Sequence, residues 1–324
     1  MRTTLIIALL CFSGLAFTQT NLPVKKTKQA EILTQDIENF WDAFDHLGEC
    51  HNHRDSIDCI TGRYFEMGTP GFTDFINKYR YTPQDYVNAI SQYPKFYSSI
   101  RKNTLLAKNL EKELRLFTLK VEENFPNYTS KKICFAISPI QDGGTSTDNY
   151  ILIGTEIVAS SKNADLSEFG NSVLGKILAL DTNVRDRLIY VVGHETVHDL
   201  QVNADWNNYE LLYRSILEGS ADFISTLLTG VTGIPFLYNY GNNHEAELWV
   251  KFKHDLDNNS NSDDWLYNRD RVENGVPNEL GYYMGYKIAE KYYKNSANKK
   301  QALKEIVEMK DPGDFLRKSG YNGN

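Results

Sequence analysis

The chain has 324 residues, 41% of them apolar and 24% charged, with 35 Lys and Arg against 42 Asp and Glu for a net charge of −7. Such proportions fit a soluble globular chain of one large domain or two, and exclude a disordered acidic tail, a collagen-like repeat and a polytopic membrane protein. No stretch carries a basic stripe, so nucleic acid is not an expected partner. Residues 1–18 read as a secretory signal peptide: Arg2, an apolar run over 5–12, then small residues at Ala16 and Thr18 before cleavage near Thr18. The run is too short to span a bilayer, and a lipid anchor at Cys11 is disfavoured because Leu10, not a small residue, precedes it. The expected location is extracytoplasmic, periplasmic or secreted, with no transmembrane span once the signal is removed.

Residues 19–130 are expected to form an N-terminal helical region. Ile32, Leu33, Ile37, Phe40, Trp41 and Phe44 recur at helical spacing over 29–46. Cys50 and Cys59 flank a polar stretch. In an oxidising compartment they would close a small disulfide; alternatively, with His51 and His53, they would hold a metal, although the spacing departs from structural zinc patterns. Thr69-Pro70-Gly71 signals a turn. Residues 83–98 read as helical, and a long amphipathic helix is predicted over 102–124, with Leu106, Leu110, Leu114, Phe117 and Val121 on one stripe and Pro126 beyond its end.

At Lys131 the pattern changes, and residues 131–324 are expected to form the functional core. Residues 133–138 and 150–153 read as strands, with hairpin-turn chemistry at Asp142-Gly143-Gly144-Thr145-Ser146 between them and Cys134 as a buried free thiol. Helices are predicted over 182–201, 209–229 and 243–256, an exposed loop over 258–262, a Tyr-rich helix over 278–294, and two short helices to finish. Helices, a small sheet and helices again make a mostly helical α+β fold.

His194-Glu195-Thr196-Val197-His198 places two imidazoles four residues apart within a predicted helix, hence on one face, where both can meet one ion. Glu195 sits beside that ion and can take a proton from a water on it. The pattern arises by chance in roughly 1% of chains of this composition. Glu218 on the following helix raises its specificity, since a catalytic zinc takes three protein ligands and His₂Glu is one established set. Gly219, Ser220 and Ala221 beside Glu218 would let its helix approach the first. Asp222, four residues on, can accept the free N–H of a liganding imidazole. His46, His51, His53 and His254 read as surface or structural histidines.

H-E-x-x-H followed by E-x-x-x-D resembles the gluzincin clan of zinc metallopeptidases. More narrowly, His194–His198 with Glu218-Gly219-Ser220-Ala221-Asp222 looks like a bacterial family of zinc-dependent peptidases with no assigned substrate, whose outline the gliding-motility lipoproteins of related bacteria share. Gly68-Thr69-Pro70-Gly71, Gly143-Gly144-Thr145 with residues 151–154, and residues 281–286 extend the likeness over most of 60–295. The metzincin variant is excluded, because Gln201 and Ala204 stand where it needs Gly and His.

The resemblance implies a small sheet over the active-site helix, a helical lobe opposite, and one Zn²⁺ in the cleft between. It also implies an edge strand that pairs with the substrate backbone, for which residues 148–154 are the candidate. Gluzincins supply a Tyr or His to the developing oxyanion; Tyr282 or Tyr286 would do so here, with His244 in reserve. The reading is a zinc metallopeptidase acting on a peptide or protein, its water activated by Glu195. The alternatives are a non-catalytic zinc protein of the cell envelope on the same scaffold, and a metal-free secreted binding module.

Overall fold

A computed structural model describes residues 30–258, 262–268 and 275–323. The signal peptide and Cys11, and residues 259–261 of the loop expected at 258–262, lie outside the described residues. Ile32 and Leu33 leave the helix expected at 29–46 and form a strand, β1 (Ile32–Leu33), parallel to Ile133 and Cys134. Helix α1 (Gln35–His46) starts after them and buries Ile37, Phe40, Trp41 and Ala43.

Between Cys50 and Cys59 the chain forms α2 (His53–Ile60), capped by Asn52 and continued by a π-helical turn, Thr61–Phe65. The helix brings the two cysteines beside each other as reduced thiols, with a hydrogen-bond contact between them and no disulfide bond formed. Each is a free thiol, and α2 points Cys59 Sγ at the Ala43 carbonyl while Cys50 Sγ faces the His46 carbonyl, each at 3.7 Å. His53 pairs with Gln84, so no metal grouping assembles there among the described residues.

Three helices then begin with proline in the first turn: α3 (Pro70–Tyr79), α4 (Pro83–Gln92) and α5 (Pro94–Thr104). Pro94 divides the helix expected at 83–98, because its ring and missing N–H fit only a helix start. The long helix expected at 102–124 is also broken, into the end of α5, a 3₁₀ segment Leu105–Asn109, and α6 (Glu111–Asn124). Buried Thr104 pins the break: it accepts from Trp41 Nε1 at 3.0 Å and donates to the Arg101 carbonyl at 2.8 Å.

The sheet has the order β1-β2-β4-β3, with β2 (Lys132–Ala136), β3 (Gly144–Ser146) and β4 (Tyr150–Gly154). β2 and β4 are parallel, and β3 is antiparallel to β4. Two expectations change. Gly144, Thr145 and Ser146 are strand, and the turn falls at residues 147–149, where Thr147 N donates to the Tyr150 carbonyl at 2.9 Å. β4 is interior, paired with β2 on one side and β3 on the other, so it cannot receive a further strand; the edges are β3 and the two-residue β1. Under β2, buried Asp36 accepts from Thr69 N at 2.8 Å and Thr69 Oγ1 at 2.5 Å. Gly71 lies so close to Cys134, a buried free thiol, that an added Cβ would sit 2.7 Å from the cysteine Cβ. Gly68-Thr69-Pro70-Gly71 therefore seats α3 on the sheet.

Beyond β4 come α7 (Thr155–Val158), α8 (Val173–Leu178), α9 (Val184–Leu200), α10 (Leu211–Thr229), α11 (Pro235–Asn243), α12 (Glu245–Asp257), α13 (Leu280–Asn295), α14 (Lys299–Val307) and α15 (Pro312–Ser319). The fold is α+β and mostly helical. Glu156 on α7 is fully buried and accepts from Ser138 N at 2.8 Å and Ser138 Oγ at 2.5 Å. Buried Tyr64 and Tyr86 donate to the Ile137 carbonyl at 2.8 and 3.0 Å, and Tyr97 to that of Ser138 at 3.0 Å.

Glycines set the helix spacing, though not as expected. Gly219 faces α13 instead of α9, and a Cβ there would lie 2.2 Å from Tyr286 N. A Cβ on Gly285 would lie 1.6 Å from the Ser215 carbonyl oxygen. The α9–α10 approach is made by Gly193 against Ser225, whose Oγ donates to the Tyr190 carbonyl at 2.9 Å. Gly285→Ala is expected to force α10 and α13 apart and destabilise the fold by about 3 kcal/mol, since backbone on both sides leaves nothing to rotate away. Thermal unfolding checks this, and an unchanged melting temperature would refute the apposition.

Candidate metal centre

α9 is long enough to carry His194 and His198 on one face a turn apart, beneath β3. The two rings stand nearly perpendicular at 89°, with centroids 4.4 Å apart. From α10, Glu218 directs Oε2 to within 3.5 Å of His194 Nε2 and 3.2 Å of His198 Nε2. Ligand atoms of the three residues all lie within 4.8 Å of one another.

Each imidazole is turned by a second partner. His194 Nδ1 donates to Asp222 Oδ1 at 2.7 Å, while Tyr190 and Tyr238, both buried, donate to the same carboxylate. His198 Nδ1 donates to Gln201 Oε1 at 2.8 Å. The Gln201 amide is fixed in that sense by donating through Nε2 to the Leu217 carbonyl at 2.9 Å and Ser220 Oγ at 3.0 Å. With both Nδ1 atoms donating, the neutral rings present lone pairs at Nε2 toward a carboxylate oxygen, and three electron-rich atoms meet with no proton between them. That donor set calls for a cation, and two His with one Glu is a set zinc accepts. With no cation between them the same groups hold a proton instead: burial lowers the His194 pKa, but Asp222 and Glu218 outweigh it and hold it well above the ordinary value, so a bound cation would take the place of that proton. Burial pushes Glu218 up, and the two histidines pull it well below.

Glu195 lines the cleft beside the cluster, under Gly144, where an added Cβ would lie 2.8 Å from the glutamate Oε1. It makes no hydrogen bond or ion pair among the described residues, and burial holds its pKa above the ordinary value. The cleft has a volume of about 1140 Å³ and follows α9 from Arg187 past Val191 to His198, with Ile157, Ile177, Leu180, Ile234 and Leu237 among its walls.

The structure separates the two tyrosines singled out on α13. Tyr282 lines the cleft, its ring stacked 6.3 Å from that of His194. Tyr286 does not reach the cleft: it packs between Phe223 and Tyr238, at 5.4 and 4.9 Å, because the close α10–α13 contact turns this part of the helix inward. His244 is also removed, stacked on Tyr240 at 4.1 Å with Nδ1 donating to the Tyr240 carbonyl. His46, His51, His53 and His254 do not line the cleft. Sequence reasoning missed Gln201, whose one signal was a side chain three residues beyond His198 at the helix end. It also missed Tyr267, whose hydroxyl donates to Glu218 Oε1 at 2.6 Å from a loop with no periodicity to betray it.

A family model described as "Predicted Zn-dependent protease (DUF2268)" matches residues 155–311, a span that contains His194, Glu195, His198, Glu218 and Asp222. No curated protein and no solved structure matches the chain.

Proposed function

We propose that the chain is a gluzincin-type zinc metallopeptidase in which His194, His198 and Glu218 hold one Zn²⁺ and Glu195 is the general base. The observation that carries this is the Glu195 carboxylate, set in the cleft beside the three converging ligand atoms with no partner among the described residues. A half-buried carboxylate left unpaired is costly unless it has work to do. His194, His198 and Glu218 would hold the zinc, which would supply Lewis-acid chemistry to a peptide carbonyl and a water.

Glu195 accepts the proton of the attacking water and returns it to the leaving amine. Asp222 and Gln201 keep both imidazoles turned with Nε2 inward. The edge strand β3 accepts an extended peptide as a further strand, and Gly144 lets the Glu195 carboxylate lie directly against that strand. Tyr282, with its ring against His194, is placed to donate to the oxyanion. Residues 131–324 make up the peptidase core, and the described residues before it, 30–130, buttress its sheet. The signal-peptide features of residues 1–18 support an extracytoplasmic site of action, and no helix among the described residues is long and apolar enough to cross a membrane. A non-catalytic zinc protein would have no use for the unpaired Glu195.

The test is metal analysis of the purified full-length chain together with a peptide-library digest. One zinc per chain is expected, with cleavage that a chelator stops and a preference for bulky apolar residues beside the scissile bond, matching the cleft walls. Protein that takes up no zinc would refute the proposal.

A further inference from the structure

Glu218 is held from two directions. Its Oε2 turns to the two imidazoles, at 3.5 and 3.2 Å from their Nε2 atoms, while its Oε1 accepts a hydrogen bond of 2.6 Å from the Tyr267 hydroxyl. The residue itself is only 5% exposed, so solvent has little access to either oxygen. Tyr267 adopts φ +58°, in the left-handed region that a bulky side chain occupies at a cost of about 1–3 kcal/mol. Its surroundings impose that conformation. Trp265 and Leu266 before it are buried, Trp265 Nε1 donates to Asp255 Oδ2 at 2.8 Å, and the Trp265 carbonyl accepts from Gly281 N at 2.8 Å. Asn268 after it accepts from Glu279 N at 2.8 Å. The loop is thus tied to α12 and to the start of α13, and the strained residue between the ties aims one hydroxyl at one carboxylate oxygen. The ring of Tyr267 meets that of Tyr282 edge-on, 6.5 Å away at 85°.

A carboxylate with two free oxygens can close on an ion with both and fill an extra position. One whose second oxygen is engaged by a hydroxyl offers a single ligand atom. Resting on the proposed zinc site, we propose that Tyr267 is a positioning residue that restricts Glu218 to one-oxygen ligation, so that the ion keeps positions for water and for a substrate carbonyl. The strain at Tyr267 is the stability given up for that constraint.

The test compares wild type with Tyr267→Phe and Tyr267→Gly as full-length chains. Glycine adopts positive φ freely, so Tyr267→Gly separates loss of the hydroxyl from damage to the loop. Zinc affinity is measured by chelator competition, and the visible absorption of the Co²⁺-substituted proteins reports coordination number independently of any cleavage. Without metal, Tyr267→Phe is expected to melt close to wild type and Tyr267→Gly at or above it, since glycine relieves the strain; both are expected to lose about 10–100-fold in zinc affinity. Both should also show weaker cobalt bands, of the kind a more highly coordinated ion gives. Variants with wild-type affinity and the wild-type cobalt spectrum would overturn the role of Tyr267 and leave the zinc reading standing. A wild-type chain that binds neither metal would bring down the zinc reading, and this inference with it.

Discussion

Glu195→Ala is expected to take up zinc as wild type does and to cleave peptides about 10³-fold more slowly, the scale on which a positioned general base contributes. The reasoning is geometric. His194, His198 and Glu218 converge without help from Glu195, so deleting its carboxylate removes none of the three ligand atoms. Glu195 is also unbound to the rest of the protein among the described residues, so its loss breaks no hydrogen bond. Alanine leaves space beneath Gly144 that water can fill. Metal analysis and steady-state kinetics on the same preparation decide the matter. A variant that loses zinc would make Glu195 a ligand, and one that cleaves normally would remove it from the mechanism.

The second large effect concerns stability. Burial pushes the Glu156 carboxyl up to about 8, against the opposing pull of its hydrogen bonds from Ser138. In the unfolded chain the same group titrates at its ordinary value of 4.5. The folded state therefore holds its proton more tightly. Its stabilisation is complete below pH 4.5, declines as pH rises, and is gone above pH 8, in total about 5 kcal/mol at a slope of about 1.4 kcal/mol per pH unit. Glu156→Gln keeps an acceptor for Ser138 and cannot ionise. The variant is expected to be the more stable protein above pH 8, and the gap between the two melting temperatures should close toward pH 5. A gap that does not change with pH would show that Glu156 titrates alike in the folded and unfolded chain, and would overturn the upward shift.

How much of this could be read from the chain follows the range of the interaction concerned. The α9 helix, its two inward histidines, and the four-residue step from Glu218 to Asp222 are local periodicities. Asp222 Oδ1 does meet His194 Nδ1, at 2.7 Å. Helix α13 and the two short helices at the end of the chain were legible for the same reason. What escaped depended on partners distant in sequence. Ile32 and Leu33 fit a helical stripe as well as a strand, and only β2 decides between them. Residues 150–153 read as a strand, yet nothing local says that neighbours flank it on both sides. Tyr282 and Tyr286 are equivalent by spacing, and the glycine contact between α10 and α13 tells them apart. Tyr267 lies on no periodic element at all, and its role depends on ties to Asp255 and to residues 279 and 281.

The pairing of β1 with β2 joins Ile32 to Ile133, about a hundred residues further along the chain. During synthesis the first strand must wait, unzipped, while α1 to α6 are made. Closing so long a loop from a disordered chain is slow, because its entropy is lost before any ladder bond forms. The helices in between shorten that search if they collapse first, carrying Leu33 to the place where Cys134 will arrive. Assembly of the sheet, and with it the ceiling of the cleft, is then a late event that waits on the amino-terminal helices.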